Sequence, residues 1–550
     1  MTPFRTFLSL VILFAMLGLL TLLFPEDGIA VGPVTLRFAS FSSIFPIEAN
    51  KSSQARTEDP EKVIRKMMEE MRAKQFTAYA DSLRFYEDFF KNGSTRFDFP
   101  SNDPTWFDRF FEDIEKAKKD SSVIHIIHYG DSQIEEDRIS STLRENMQSL
   151  FGGSGVGMLP AILEVPSMAI FYRSHGNLER HLLFGPESQE ASHNRYGPMA
   201  QFSELNGKAE IFIKKHVRKS RFPHAGIFSQ VRLLVNTKRS RFTTKLIYER
   251  EYEVQKDSVT ETEIRKEKRR AIDPQIDTLG NLTVYTWKLP YTTSNAHISI
   301  SGHAEIYTVI SETPGGVTVD NVPMRGSSGT FFHRMNSPLL EASYKALHAR
   351  LIIMEYGGNL VPGSNAHNID WTKKLITKQI KAIRKANPDA DILFVGPADM
   401  AKQVNGKLQS YPSLGRVIQA LREVALENGV AYWDMHRVMG GNGSMIQWVQ
   451  RTPPLAQKDH IHFSRSGAAY MGDLLFGAIK MHFDYYQFRK SHEINANKLE
   501  EIRNFADSTK ASLKSEADKE ILIEDDDTLI MIDLNTLQKT KSNVLKMEGP

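Results

Sequence analysis

Cysteine is absent from all 550 residues. That absence excludes disulfides, cysteine-ligated zinc, iron-sulfur clusters, a thiol nucleophile and lipid attachment to an N-terminal cysteine. A strong charge of one sign is also lacking: 69 Lys and Arg against 66 Asp and Glu leave +3, which for this size does not point to a nucleic-acid partner. What is present is an ordinary globular balance, 41% hydrophobic and 25% charged, in a chain long enough for two or three domains. One uncharged apolar run stands at 7–24, preceded by Arg5 and followed by Pro25-Glu26-Asp27. Its length and flanking charges are those of a transmembrane anchor with the N-terminus inside and the bulk outside. A cleaved signal peptide would have a shorter apolar stretch ending in small residues, and this run ends Leu22-Leu23-Phe24. Residues 1–28 are therefore expected to be an uncleaved anchor.

A short apolar segment, 34–45, and a polar linker, 50–58, come next. Asp59-Pro60 reads as an N-cap followed by proline at the first helical position. Val63, Met67, Met71, Tyr79, Leu83, Tyr86 and Phe90 then keep a helical spacing, as a packing face rather than a ligand site. Asp103-Pro104 opens a second helix, with Trp106, Phe110 and Ile114 on one side. Residues 29–120 are read as a linker and helical spacer. From Ser121 strands (123–129, 316–319, 349–356, 392–395 and 430–433) alternate with helices (138–150, 371–386 and 414–428), and Ser464 caps a last helix. Such alternation requires a parallel sheet covered on both faces. The interval 166–315 breaks it with short β-type runs at 209–213, 231–235, 243–248, 282–287, 297–301 and 305–310, the pattern of an inserted β-sandwich or jelly roll. Its charge run, 263–270, is most simply a solvated hairpin. The alternative, that Arg265, Lys266, Lys268, Arg269 and Arg270 attract an anionic polymer, is weakened by the glutamates between them. The α/β domain occupies 121–165 and 316–486, and the charged extension 487–550 has a short strand at 528–533 and no readable function.

The chemistry centres on His128-Tyr129-Gly130-Asp131-Ser132-Gln133, just beyond the carboxyl end of the first strand. A serine there, two residues after a glycine, stands where an α/β sheet usually holds its reactive groups. Gly-Asp-Ser is also an ordinary turn sequence, so partners have to decide its role. A serine hydroxyl attacks a carbonyl poorly unless a base lies within hydrogen-bond reach and an acid orients that base. Asp459 and His462, three apart on a turn before the last helix, can supply both, whereas the spacing of His460 from Asp459 turns it away. His460 and His462 could together ligate a metal, but no acidic or histidine partner stands at a suitable spacing. Donors for an oxyanion are needed as well. Tyr356-Gly357-Gly358-Asn359 and the loop 320–329, containing Gly326, are the candidates at strand ends. Asp131 is expected to make backbone contacts rather than to move protons. Trp433 and Asp434 either line the pocket or end a strand.

These four pieces, Gly130-Asp131-Ser132, Gly326, Gly357-Gly358-Asn359 and Asp459-His460-Ile461-His462, resemble the four ordered blocks of the SGNH (GDSL-type) hydrolases. With Trp433-Asp434-Met435 and Met439-Gly440-Gly441, the arrangement is most similar to bacterial peptidoglycan O-acetylesterases, whose hydrolase domain carries a β-sandwich resembling a carbohydrate-binding module. The resemblance implies a three-layer, flavodoxin-like α/β domain with a parallel sheet and an inserted β-sandwich, possibly for carbohydrate. It makes Ser132 the nucleophile, His462 the base and Asp459 its orienter, with the N–H of Ser132, the N–H of Gly326 and the amide of Asn359 as the oxyanion hole. The second block departs from the family pattern, since the approach to Gly326 reads Val322-Pro323-Met324-Arg325. The function implied is a serine esterase that removes O-acetyl groups from peptidoglycan or another envelope polysaccharide, with no metal or organic cofactor. It would act on the periplasmic side of the inner membrane. The same site also suits an O-acetyltransferase supplied by a membrane acyltransferase, and a third reading is a non-catalytic glycan-binding protein.

Overall fold

The computed structural model describes residues 29–31, 34–36 and 60–508, except 187–188, 217–220, 238–240, 256–261, 272 and 506. The apolar run at 7–24, the linker at 50–58 and the tail beyond 508, with its expected strand at 528–533, lie outside the described residues. Among the described residues no helix is long and apolar enough to cross a membrane. The chain divides into two compact units, Met1–Gln75 and Phe76–Pro550. In the first, Ile29–Val31 pairs antiparallel with Val34–Leu36.

The second unit is organised around a six-stranded sheet. Val123–Gly130 lies between Gly316–Pro323 and Ala349–Glu355, and beyond the latter come Asp391–Val395, Ala431–Trp433 and Phe97–Asp98. All neighbours are parallel except Phe97–Asp98, which closes one edge antiparallel. Numbered along the chain, the parallel strands stand in the order 2-1-3-4-5, which is the flavodoxin-like order. Because side chains alternate along a strand, Ile127 and Tyr129 join the core on one face while Ile124 and Ile126 join the core on the other. Helices Ser337–Leu347, Ile369–Ala386 and Leu414–Glu427 cover the first face through Leu340, Ile380 and Leu421. Asp108–Asp120, Ser140–Phe151 and Arg465–Ser491 cover the second through Phe110, Leu143 and Met471.

Two expected boundaries move. The strand Phe97–Asp98 and the helix Asp108–Asp120 belong to these layers, so the α/β domain starts before 121 and the second half of the supposed spacer is part of it. Asp103 accepts hydrogen bonds from the Thr105 N–H and hydroxyl, which makes a local turn, and the helix follows at Asp108 rather than at Pro104. Tyr79, Ala80 and Leu83, from the helix Pro60–Asn92, pack with Tyr485, Ile494 and Ile502.

Between the first two parallel strands the chain forms nine antiparallel strands. The expected runs 297–301 and 305–310 are one strand, Asn295–Glu312. Its first half pairs with Gln201–Lys215 and Phe242–Gln255, its second half with Phe228–Asn236 and Gly157–Leu159. One strand is thus shared by two layers, the first extended by Ile170–Leu182 and Thr262–Arg270, the second by Leu282–Thr293 and Gln275–Leu279. Gly302, at φ 129, sits near the handover, where a Cβ would stand 2.2 Å from the Arg241 carbonyl oxygen. Ile211, Leu246 and Ile298 from one layer and Leu233, Trp287 and Val309 from the other form a common core. The sheet begins at Gly157 rather than at 166. The charge run is an edge strand. Its register sets Lys266 opposite Glu251 and Lys268 opposite Glu249, with 2.7 Å between Lys266 Nζ and Glu251 Oε1, so neighbouring carboxylates answer these two cations.

A buried ionic cluster joins the two sheets. His125, fully buried on the first parallel strand, meets Asp320 through Nδ1 at 2.6 Å and Glu312 through Nε2 at 2.9 Å. Asp320 also accepts the Met158 N–H, and Glu312 accepts from Gln230 and Arg232. Burial alone would lower the imidazole pKa, but the two carboxylates overcome it and raise the value to about 9. Glu312, opposed by burial but held by Arg232 and His125, goes down to about 2. A folded pKa above the ordinary value near 6.5 stabilises the fold fully below 6.5, and the stabilisation is lost as pH rises through about 9. Its size is roughly 3 kcal/mol. The melting temperature should therefore fall as pH rises from about 6.5 to about 9.5. His125→Gln should melt lower at the acid end and lose most of that slope. Parallel melting curves for the two proteins would assign the pH dependence to another group.

Candidate active site

The parallel register sets Gly130 beside Pro323 on one side and Glu355 on the other. Three loops therefore leave the sheet level with one another, at the point where the strand order reverses and a crevice opens. Ser132, Gly326 and Asn359 lie on those three loops. They line a cavity of about 580 Å³ together with Asp131, Glu355 and His462.

His462 reaches this crevice from the loop preceding Arg465–Ser491. Ser464 starts that helix as its N-cap, its hydroxyl accepting the Gly467 N–H at 3.1 Å. Ser132 Oγ lies 2.8 Å from His462 Nε2, and His462 Nδ1 lies 2.7 Å from Asp459 Oδ2. The other oxygen of Asp459 accepts the N–H groups of Ile461 and His462 at 2.9 and 3.0 Å. Partial burial works against the charged carboxylate, but these bonds, the one to the imidazole above all, hold its pKa below the usual range. Asp459 thus stays ionised and its bond from Nδ1–H presents Nε2 to Ser132 as an acceptor.

Among the described residues, no group accepts from the backbone N–H of Ser132 or of Gly326. Gly326 has φ 77, a conformation that glycine adopts without strain. Asn359 is more occupied. Its Nδ2 donates to Asp131 Oδ2 at 3.1 Å and to the Ser327 carbonyl at 3.0 Å, so both amide hydrogens already have acceptors. Asp131 makes the expected backbone contact, accepting the Gln133 N–H at 2.9 Å, and it also holds this amide. Burial, with the Glu355 carboxylate nearby, pushes its carboxyl up to about 7 against the pull of the Gln133 N–H and the Asn359 amide. Glu355 is itself buried and anchored at 2.9 Å by His128 Nε2, whose other nitrogen meets Ser140 Oγ at 2.9 Å.

Two residues that the sequence did not single out tie the serine loop to the histidine loop. The Gln133 side chain donates to the Ile461 carbonyl at 2.7 Å and accepts the Phe463 N–H at 3.2 Å, so one amide brackets His462 from both sides. Arg138 donates to the carbonyls of Ser132 and Phe463. Gln133 directly follows the serine, which is its only sequence signal; for Arg138, at the foot of an amphipathic helix, there was none. Asp434 caps the short helix Met435–Met439 by accepting the Arg437 N–H, and Trp433 is buried and donates to the Thr95 carbonyl. Both end a strand, and it is Met435 that reaches the cavity wall. His460, at φ 59, gives its carbonyl to the Ala401 N–H and is not on that wall.

No family model and no curated protein matches the sequence. Among solved structures, similarity extends to a peptidoglycan O-acetylesterase, at 20% identity and a TM-score of 0.47 over 69% of this chain and 96% of that one. It also extends to a lipase/acylhydrolase from Enterococcus faecalis, at 17% identity and 0.22 over 30% of this chain and 76% of that one. A carbohydrate acetylesterase from Sinorhizobium meliloti gives 13% identity and 0.22 over 30% and 78%.

The bracketing amide makes a prediction about reactivity. A small displacement of a reacting pair costs on the order of 10²-fold in rate. Gln133→Ala should slow labelling of Ser132 by a fluorophosphonate roughly 10- to 100-fold while lowering the unfolding free energy by no more than about 1 kcal/mol. Gln133→Glu, which keeps the acceptor for Phe463 and loses the donor to Ile461, should fall between. Unchanged labelling in Gln133→Ala would show that the histidine loop is held by other contacts.

Proposed function

We propose that the chain is an SGNH-type serine esterase that removes acetyl groups from hydroxyls of a cell-envelope glycan, with peptidoglycan as the favoured substrate. The observation that carries this reading is the continuous relay from Ser132 Oγ through His462 to Asp459, at 2.8 and 2.7 Å, opening on a cavity where two strand-end N–H groups have no acceptor among the described residues. The choice of glycan and of acetyl rests on the sequence resemblance, as does placement on the outer side of an inner-membrane anchor.

In the reaction, Ser132 Oγ gives its proton to His462 Nε2 and forms a bond to the acetyl carbonyl carbon. The oxyanion is met by the N–H groups of Ser132 and Gly326, joined by Asn359 when its amide turns toward the substrate. Charge on the imidazole is balanced by Asp459. As the tetrahedral species collapses, the proton passes to the sugar oxygen and the deacetylated hydroxyl departs. Water then gives a proton to His462 and attacks acetyl-Ser132, and acetate leaves with the serine restored.

Ser132→Ala in the full chain should reduce acetate release from O-acetylated peptidoglycan by about 10⁴-fold or more. Asp459→Asn should cost roughly 10²- to 10⁴-fold, mainly in kcat. Undiminished release by Ser132→Ala would overturn the assignment, and faster release from acetylated xylan than from peptidoglycan would overturn the choice of glycan.

A further inference from the structure

A second cavity, of about 500 Å³, lies between the α/β layers and the antiparallel insert. It adjoins the first, since Glu135, Glu136 and Arg325 line both. The partition between them is a forked ion pair, Arg325 Nη2 to Glu135 Oε2 at 2.7 Å and Nε to Oε1 at 3.0 Å. Both partners are close to the reactive groups in sequence, Glu135 three residues after Ser132 and Arg325 next to Gly326. From the insert, Phe184 reaches the same place. Its ring edge is 4.0 Å from where a Cβ would stand on Gly326, and 39% of the residue is exposed.

The wall chemistry restricts what fits. Arg144 is paired with Asp137, Arg180 with Glu164 and Arg325 with Glu135, while Glu136 is paired with Arg465. Each arginine among the lining residues already faces a carboxylate, which lowers the positive potential that a polyuronate or a phosphate would meet. An acyl tail would meet apolar surface from Leu182, Met199 and Met324, but it would also lie against Glu164, Gln189 and Asn321. A neutral sugar suits both kinds of wall, with an apolar ring face for Phe184 and hydroxyl or amide groups for the polar side chains. The volume falls within the range of clefts that enclose a whole small ligand.

We propose that this second cavity is a subsite for a neutral pyranose of the substrate chain, next to the sugar whose ester lies at Ser132, with Phe184 as its stacking face. The proposal rests on the esterase reading for the identity of that chain. It also gives the insert a direct part in substrate choice, through the strand end at Leu182 and the turn that follows.

The test is calorimetric titration of the full chain carrying Ser132→Ala, which needs no turnover. The probes are chitotetraose, a neutral N-acetylglucosamine oligomer, with tetragalacturonate and laurate as the anionic and acyl alternatives. Chitotetraose should bind, Phe184→Ala should weaken it roughly five- to tenfold, and Phe184→Tyr should keep it within about twofold. The partial exposure of Phe184 makes misfolding of these variants easy to exclude by melting. Equal affinity in Phe184→Ala, binding of tetragalacturonate or laurate in preference, or no binding of chitotetraose would overturn the subsite. Residual acetate release by Ser132→Ala would instead overturn the esterase assignment, and the titration would still report on the cavity.

Discussion

Everything at the candidate site depends on the level parallel register that sets Pro323, Gly130 and Glu355 side by side. Parallel pairing fixes strand ends as a group: a slip of one residue would reverse the buried and facing side chains of a whole strand. Here that error is strongly opposed, because Val123–Gly130 is buried along its length and sends alternate residues into two separate cores. The positions of Ser132, Gly326 and Asn359 are therefore set by core packing that none of them takes part in. The geometry of the candidate site is a consequence of how apolar side chains interleave on the two faces of the sheet.

That dependence explains what could be read from the sequence. β-branched runs and amphipathic helices announce an α/β alternation, and the strand ends are where chemistry is looked for, so Ser132, Asn359 and the Asp459/His462 pair were all accessible to pattern and motif. Elements defined by contact were not. Phe97–Asp98 is too short to have a period, yet it closes the sheet edge. The strand Thr262–Arg270 has no apolar face, because cross-strand charge pairs hold it as an exposed edge. The sharing of Asn295–Glu312 between two layers was hidden because each half looks like an ordinary short strand. Gln133 and Arg138 bond to backbone carbonyls more than 300 positions away, and such partners leave no trace in local sequence.

The ionic cluster at the junction of the two sheets shows a different economy of forces. An unpaired charge among buried strands costs several kcal/mol, and His125, Asp320 and Glu312 are fully buried together. The cluster is tolerable because almost every hydrogen-bonding position is used: both ring nitrogens of His125, Asp320 through the Met158 N–H, and Glu312 through Gln230 and Arg232. Those partners come from five strands, with Gln230 and Arg232 on the same one. The cluster bonds strands of the insert to strands of the α/β sheet, through Glu312, Gln230, Arg232 and Met158 on one side and His125 and Asp320 on the other. Phe184 of the insert and Gly326 of the α/β domain meet across the same junction of the two sheets.

Asn359 carries the last step of the argument, because its amide cannot serve three acceptors fully at once. Asp131 and the Ser327 carbonyl hold it, and the oxyanion of the proposed reaction would have to share or replace one of them. The Ser327 carbonyl is part of a fixed loop whose hydroxyl also caps the Gly329 N–H, and its pull on the amide does not vary. The pull of Asp131 does vary with its charge, and burial beside Glu355 brings its carboxyl to about 7. A neutral carboxyl binds an amide hydrogen less strongly than a carboxylate does, so on the proposed mechanism the charge of Asp131 bears on how readily Asn359 would turn to an oxyanion. Asp131 thus does more than make the backbone contact expected of it: besides accepting the Gln133 N–H it holds the Asn359 amide, the side-chain donor of the proposed oxyanion hole.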